Sequence, residues 1–188
     1  MQAHPVTYVS RITNLSDARY CAGMGVDLLG FVVDPADPDY VSPESFQQMI
    51  GWVSGPARVM EVGTFKVDLH TLREQYAPDY VHIPLHRLDE FTDSPTPLIV
   101  ELPFEQWESA DVNTQGVAWW MVTGTPDVPV SFTRKAQILV ARHDFPGSVA
   151  EYLEACGATG VALSGTREVA PGLKDYDHLS QVLEELNG

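Results

Sequence analysis

Two side chains able to exchange a proton stand in equivalent places. His82 in PDYVHIP and Glu101 in TPLIVELP each lie late in a short apolar run, two residues before a proline. On neighbouring strands, an imidazole and a carboxylate form a pair that can take and return a proton. With Glu61 of VMEVG or His143 they also have the types that hold zinc or manganese. No HxH or HExxH spacing supports a metal, however, and neither metal nor cofactor is expected. The alternative is a hydrogen-bonded polar plug that does no chemistry. Glu61 can face either way, because a one-residue slip in a strand reverses every side chain.

Three other stretches end apolar runs in polar residues. TYVSRIT carries Ser10-Arg11. QILVARHD carries Arg142, His143 and Asp144; Arg142 could grip a phosphate or carboxylate through two N–H groups, or the stretch is a solvated loop with Asp144 capping the next helix. GVALSGTR carries Ser164, Gly165 and Thr166, where a glycine lets backbone approach an anion and hydroxyl and N–H groups donate to it. The competing reading there is an ordinary glycine-bearing turn. Of Trp119-Trp120, one indole should face inward and one outward. DPADPD (34–39) reads as a solvated acidic loop.

The elements that must position these residues alternate in type. Strands are expected at 7–13, 26–33, 57–63, 78–84, 96–103, 116–124, 137–143 and 160–165. Helices fall between them: one from the Asn14 cap to about Met24 with Gly25 as its stop, one opened by Ser42-Pro43-Glu44, then VDLHTLREQY, FEQWESA, 146–156 and KDYDHLSQVLEEL. Only short segments follow the fourth and sixth strands. Eight strand-plus-connection units predict a parallel sheet closed into an α/β (β/α)8 barrel, the TIM barrel, as one domain over 1–188 with some shortened helices. The second choice is an open doubly wound sheet. Neither GxGxxG nor GxxxxGK[ST] follows a strand, so those nucleotide routes have no support.

Composition narrows the partners. A net charge of −15 argues against nucleic acid and anionic membranes, which require a basic footprint. The first ten residues have no signal-peptide pattern, and no apolar run reaches the ~18 residues that span a bilayer. Cys21 and Cys156 read as buried free thiols, so a cytoplasmic monomer or homodimer is expected.

Three stretches resemble the phosphoribosylanthranilate isomerase family of tryptophan biosynthesis, a small (β/α)8 barrel. RITNLSDARYCAGMGVDLLGFVV is similar to that family's ICGITN…DA…GAD…GFVF opening. PDYVSPESFQQMI is similar to its SPRYVSPEQA segment, and GVALSGTREVAPGLKDYDHLSQVL to its VDVSSGVE…PGVKD close. The resemblance implies an Amadori rearrangement, in which an acid protonates the ring oxygen of an aminosugar and a base removes the C2 proton. It places the family's base cysteine at Ser10, the following glycine at Arg11, its RYVSP arginine at Asp39 and its acid aspartate near Val122. Its seventh-strand Gly-Gly falls at Ala141-Arg142 or Arg142-His143.

A serine without a partner base is a poor proton acceptor near neutral pH, and valine donates no proton. Loss of either group costs about 10²–10⁴ in rate. The expectation is therefore a barrel of this type without the isomerase activity, binding a small anionic or phosphorylated ligand through Arg11, Arg142, His143, Ser164, Gly165 and Thr166. The alternatives are an active isomerase or another sugar-phosphate enzyme of the lyase or isomerase kind. Ser10, His82, Glu101 and Arg142 would carry such chemistry.

Overall fold

A computed structural model of the chain describes residues 4–108, 115–133, 136–165, 168–170, 173–174 and 176–188. Parallel strands β1 (Val6–Ser10), β2 (Leu28–Val32), β3 (Ala57–Glu61), β4 (Tyr80–Pro84), β5 (Leu98–Pro103), β6 (Val117–Thr123), β7 (Ile138–Ala141) and β8 (Gly160–Ser164) each pair with the next. β8 returns to β1 in continuous register, from Val6 opposite Gly160 to Ser10 opposite Ser164. The chain is thus a closed (β/α)8 barrel and not the open sheet.

Strand alternation separates two cores. Tyr8, Leu28, Val59, Ile99, Met121, Leu139 and Ala162 fill the barrel interior. The residues between them, among them Val9, Leu29, Met60, Val81, Ile83, Val100 and Val140, face the helices. Trp120 belongs to the outer core and meets Trp107 edge to face, whereas Trp119 packs on the inner cluster.

The helices begin where short polar side chains satisfy free N–H groups. Asn14 accepts from Asp17 ahead of α1 (Leu15–Gly23), and Ser42 accepts from Ser45 ahead of α2 (Pro43–Ile50), with Pro43 in the first turn. Asp68 caps α3 (Leu69–Tyr76). A 3₁₀ segment (Leu85–Phe91) follows β4, and α4 (Phe104–Trp107) is a single turn, shorter than FEQWESA suggested. Among the described residues no helix follows β6. The cap of α5 (Val149–Cys156) is Ser148, not Asp144. A two-stranded antiparallel sheet, β9 (Glu168–Ala170) with β10 (Leu173–Lys174), precedes α6 (Asp177–Asn187) and was not expected. Cys21 and Cys156 are buried and unpaired with each other. No helix among the described residues is long and apolar enough to cross a membrane.

Candidate functional site

The C-terminal ends of β2 to β5 and the loops after them enclose a pocket of about 300 Å³. Its wall includes Arg11, Asp34, Asp37, Glu61, His82, His86 and Glu101. Register explains why three of these converge: Glu61 pairs with His82, and Pro84 with Glu101, so alternation turns all three inward. The facing of Glu61 is thereby fixed.

A line of hydrogen bonds runs through them. The Tyr8 hydroxyl donates to Glu61 Oε1 (3.1 Å) and lies 3.2 Å from His82 Nδ1. His82 Nε2 is 3.2 Å from Glu101 Oε2. The Arg11 backbone N–H also donates to Glu61 Oε1, at 2.8 Å. Tyr8, Glu61 and His82 are buried, while the Glu101 side chain is 41% exposed. Burial raises the Glu61 carboxyl above its ordinary range, against the opposing pull of His82 and the hydrogen bonds from Arg11 and Tyr8. Burial, with Glu61 beside it, also drives the Tyr8 hydroxyl well up. The hydrogen bond from His82 lowers Glu101 despite its partial burial.

The line can be satisfied in two ways. With imidazolium at His82, Nδ1–H donates to Tyr8 and Nε2–H to Glu101, leaving Tyr8 to donate to an ionised Glu61. With neutral imidazole, Tyr8 donates to Nδ1 and a protonated Glu61 donates to Tyr8. Moving between these states transfers one proton between the buried carboxyl and the imidazole at the pocket wall, which is the capacity general acid–base chemistry needs.

Gly30 makes room for this line. A Cβ there would sit 1.9 Å from Glu61 Oε1 and 2.5 Å from the Tyr8 hydroxyl. Tyr8 was missed in the sequence, although it lies two residues before Ser10 on the same strand face. Asp34, Asp37 and His86 were missed as well, because loop residues carry no periodicity that shows their facing.

Several expected ligand contacts are otherwise engaged. Arg11 has the left-handed φ of 59°. Its guanidinium pairs with Asp37 (2.6 Å) and Asp39 (2.7 Å), so the 34–39 stretch is not simply a solvated loop. Arg142 is not grouped with His82 and Glu101. It donates to the carbonyls of Asp144, Thr125 and Pro126 and to the Tyr152 hydroxyl, and pairs with Asp127 at 2.6 Å. That guanidinium pins loops and leaves little for an anion. The Gly165 N–H donates to the Ser10 carbonyl (2.7 Å), and a Cβ on Gly165 would crowd the Ser10 and Arg11 carbonyls at 2.9 Å. The glycine is therefore explained by the seam between β8 and β1. Ser164 is exposed beside it, and Thr166 lies outside the described residues. His143 packs its ring on His178, away from the pocket wall.

At the positions matched to the isomerase motif, the Ser10 hydroxyl donates to the Leu163 carbonyl (3.2 Å), an acceptor that cannot take its proton. Val122 is corrected as a pocket position: it is fully buried in the outer core, and the inward residue ending β6 is Thr123, whose hydroxyl contacts the Leu102 carbonyl. No carboxyl stands at either place.

No family model matches the chain, and no curated protein is significantly similar to it in sequence. Solved structures do share its fold. The TrpF of Jonesia denitrificans superposes with a TM-score of 0.75 at 17% identity, over 98% of this chain and 97% of that one. A phosphoribosylanthranilate isomerase in complex with reduced 1-(o-carboxyphenylamino)-1-deoxyribulose 5-phosphate gives 0.77 at 18%, over 98% and 99%. Triosephosphate isomerase from Bartonella henselae gives 0.61 at 12%, over 98% and 99%. The chain thus has the barrel seen in phosphoribosylanthranilate isomerase structures, over nearly its whole length.

Proposed function

We propose that the protein is a phosphoribosylanthranilate isomerase-like barrel that has lost that isomerisation and binds a small polar ligand at the barrel mouth, in the cytoplasm. The observation that carries this reading is the state of Ser10. Where the resemblance calls for a base, a hydroxyl donates to a carbonyl, and neither Val122 nor Thr123 supplies the acid. The His82–Glu101 pair is then the polar contact for the ligand. A phosphorylated ligand is supported by the analogue bound to one structural neighbour. Its anionic end would lie toward exposed Ser164, away from Asp34, Asp37, Glu61 and Glu101, since Arg11 and Arg142 are already paired.

The test is an isomerase assay with phosphoribosylanthranilate generated in situ, following loss of its fluorescence against a blank without protein. No loss above blank is expected, and none for Ser10→Cys, which restores the thiol but not the acid. Turnover at an enzyme-like rate overturns the proposal. Thermal unfolding with ribose and with ribose 5-phosphate tests the ligand: a ligand at ~100 times its Kd stabilises by about 2.7 kcal/mol. Equal shifts for the two sugars would remove the phosphate from the reading.

The second reading is an acid–base enzyme, favoured by the Glu61–Tyr8–His82–Glu101 line. It requires that His82→Ala abolish a measured proton exchange that Ser10→Ala leaves intact.

A further inference from the structure

His143 and Asp144 lie in the loop between β7 and α5, and His178 is the second residue of α6. Each offers one ligating atom, and the three atoms lie within 4.8 Å of one another. The two imidazole rings are 4.4 Å apart between centroids and tilted by 50°.

The scaffold around them is braced from both sides. Arg142 Nε donates to the Asp144 carbonyl (2.7 Å) and its Nη1 donates to the Thr125 and Pro126 carbonyls. α6 is seated by buried Leu179, Val182, Leu183 and Leu186. His178 Nε2 is shielded from solvent and has no hydrogen-bond partner among the described residues. Leaving such a buried group unsatisfied costs about 1–3 kcal/mol. A cavity of about 170 Å³ lined by Asp144, His178 and Glu185 adjoins the cluster.

We propose that His143, Asp144 and His178 bind a divalent transition-metal ion, with zinc the best match. Two imidazole nitrogens and one carboxylate oxygen suit zinc, whereas calcium takes six to eight oxygen ligands. Ligand bonds of ~2.1 Å in a tetrahedron put donor atoms ~3.4 Å apart. His143 and Asp144 are exposed, so their side chains can rotate inward to close the remaining gap. Three protein ligands leave a coordination position for water. The ion would tie the β7 loop to α6 and stabilise the fold by mass action. None of the three residues belongs to the wall of the pocket at the barrel mouth.

Chelator-treated full-length protein is titrated with zinc chloride by calorimetry at about pH 7.5. One equivalent should bind, with a rise in thermal midpoint. His143→Ala and His178→Ala should each weaken binding by at least tenfold, about the smallest effect seen even for groups that only orient ligands. Binding should fall near pH 5.5, where histidine is protonated and cannot ligate. The chain has six histidines, so His82→Ala is the control for the barrel mouth and should bind zinc as the wild type does. If circular dichroism shows His178→Ala to be unfolded, His143→Ala and Asp144→Asn carry the test. Failure of the wild type to bind overturns the proposal. So does binding that survives loss of His143 and His178, or that disappears with His82→Ala.

Discussion

Gly30→Ala tests the position of the buried carboxylate with a single methyl group. The new Cβ would sit 1.9 Å from Glu61 Oε1 and 3.0 Å from its Cδ. Ordinary contact needs more than 3 Å, so the carboxylate must move by more than an ångström. The move lengthens its bonds from Tyr8 (3.1 Å) and Arg11 N–H (2.8 Å). Buried groups deprived of a partner cost about 1–3 kcal/mol each. Tyr8 retains His82 as a neighbour, so its share lies at the low end. Replacing glycine also restricts the unfolded chain, which returns about 0.4–1 kcal/mol. The net expectation is a loss of about 2–3 kcal/mol in urea unfolding. The cycle with Glu61→Ala is decisive, because the contact at 1.9 Å disappears with the carboxylate and leaves the methyl group only the Tyr8 hydroxyl to strike, at 2.5 Å. The two substitutions should couple by at least about 1 kcal/mol. A Gly30→Ala variant within about 0.5 kcal/mol of wild type, or additive costs in the double variant, would refute this placement of Glu61.

Other perturbations read different parts of the same region. Burial raises the folded-state value of Glu61 above the ordinary 4.5, so its favourable contribution is complete below that value and is lost as pH rises through the folded value. Glu61→Gln should therefore gain stability relative to wild type at neutral pH and show no such gain near pH 4, in paired denaturation curves. Arg11 holds a positive φ that glycine adopts freely, so Arg11→Gly should be more stable than Arg11→Ala by about 1 kcal/mol, although both lose the Asp37 and Asp39 pairs. Arg142→Ala should destabilise by about 2–4 kcal/mol, since carbonyls and the Tyr152 hydroxyl lose their donor and Asp127 its cation; a change within about 0.5 kcal/mol would show that the loops after β6 and β7 hold without it.

The barrel was legible because a strand buried on both faces leaves a strong mark. LLGFV and ILVA read as continuous apolar runs, and Asn14 and Ser42 mark helix starts through chemistry that acts within four residues. His82 and Glu101 could be paired from the sequence for the same reason: each holds the same phase relative to a closing proline, and consecutive strands are neighbours. What was not legible depends on groups distant in sequence. Arg11 and Arg142 looked like anion contacts because a guanidinium at a strand end has that capacity. Their carboxylate partners, Asp37, Asp39 and Asp127, lie in loops whose approach no periodicity encodes. Val122 shows a subtler limit, since an inferred alignment fixed its place along β6 while register fixed its direction, and a single residue separates a pocket position from the helix layer. Arg11 stands at the end of β1, where its guanidinium meets two carboxylates of the loop after β2 and its backbone N–H serves Glu61. The mouth is organised around the buried carboxyl that this backbone amide supports, so chemistry at this pocket should be sought from Glu61 and His82 outward, not from Ser10.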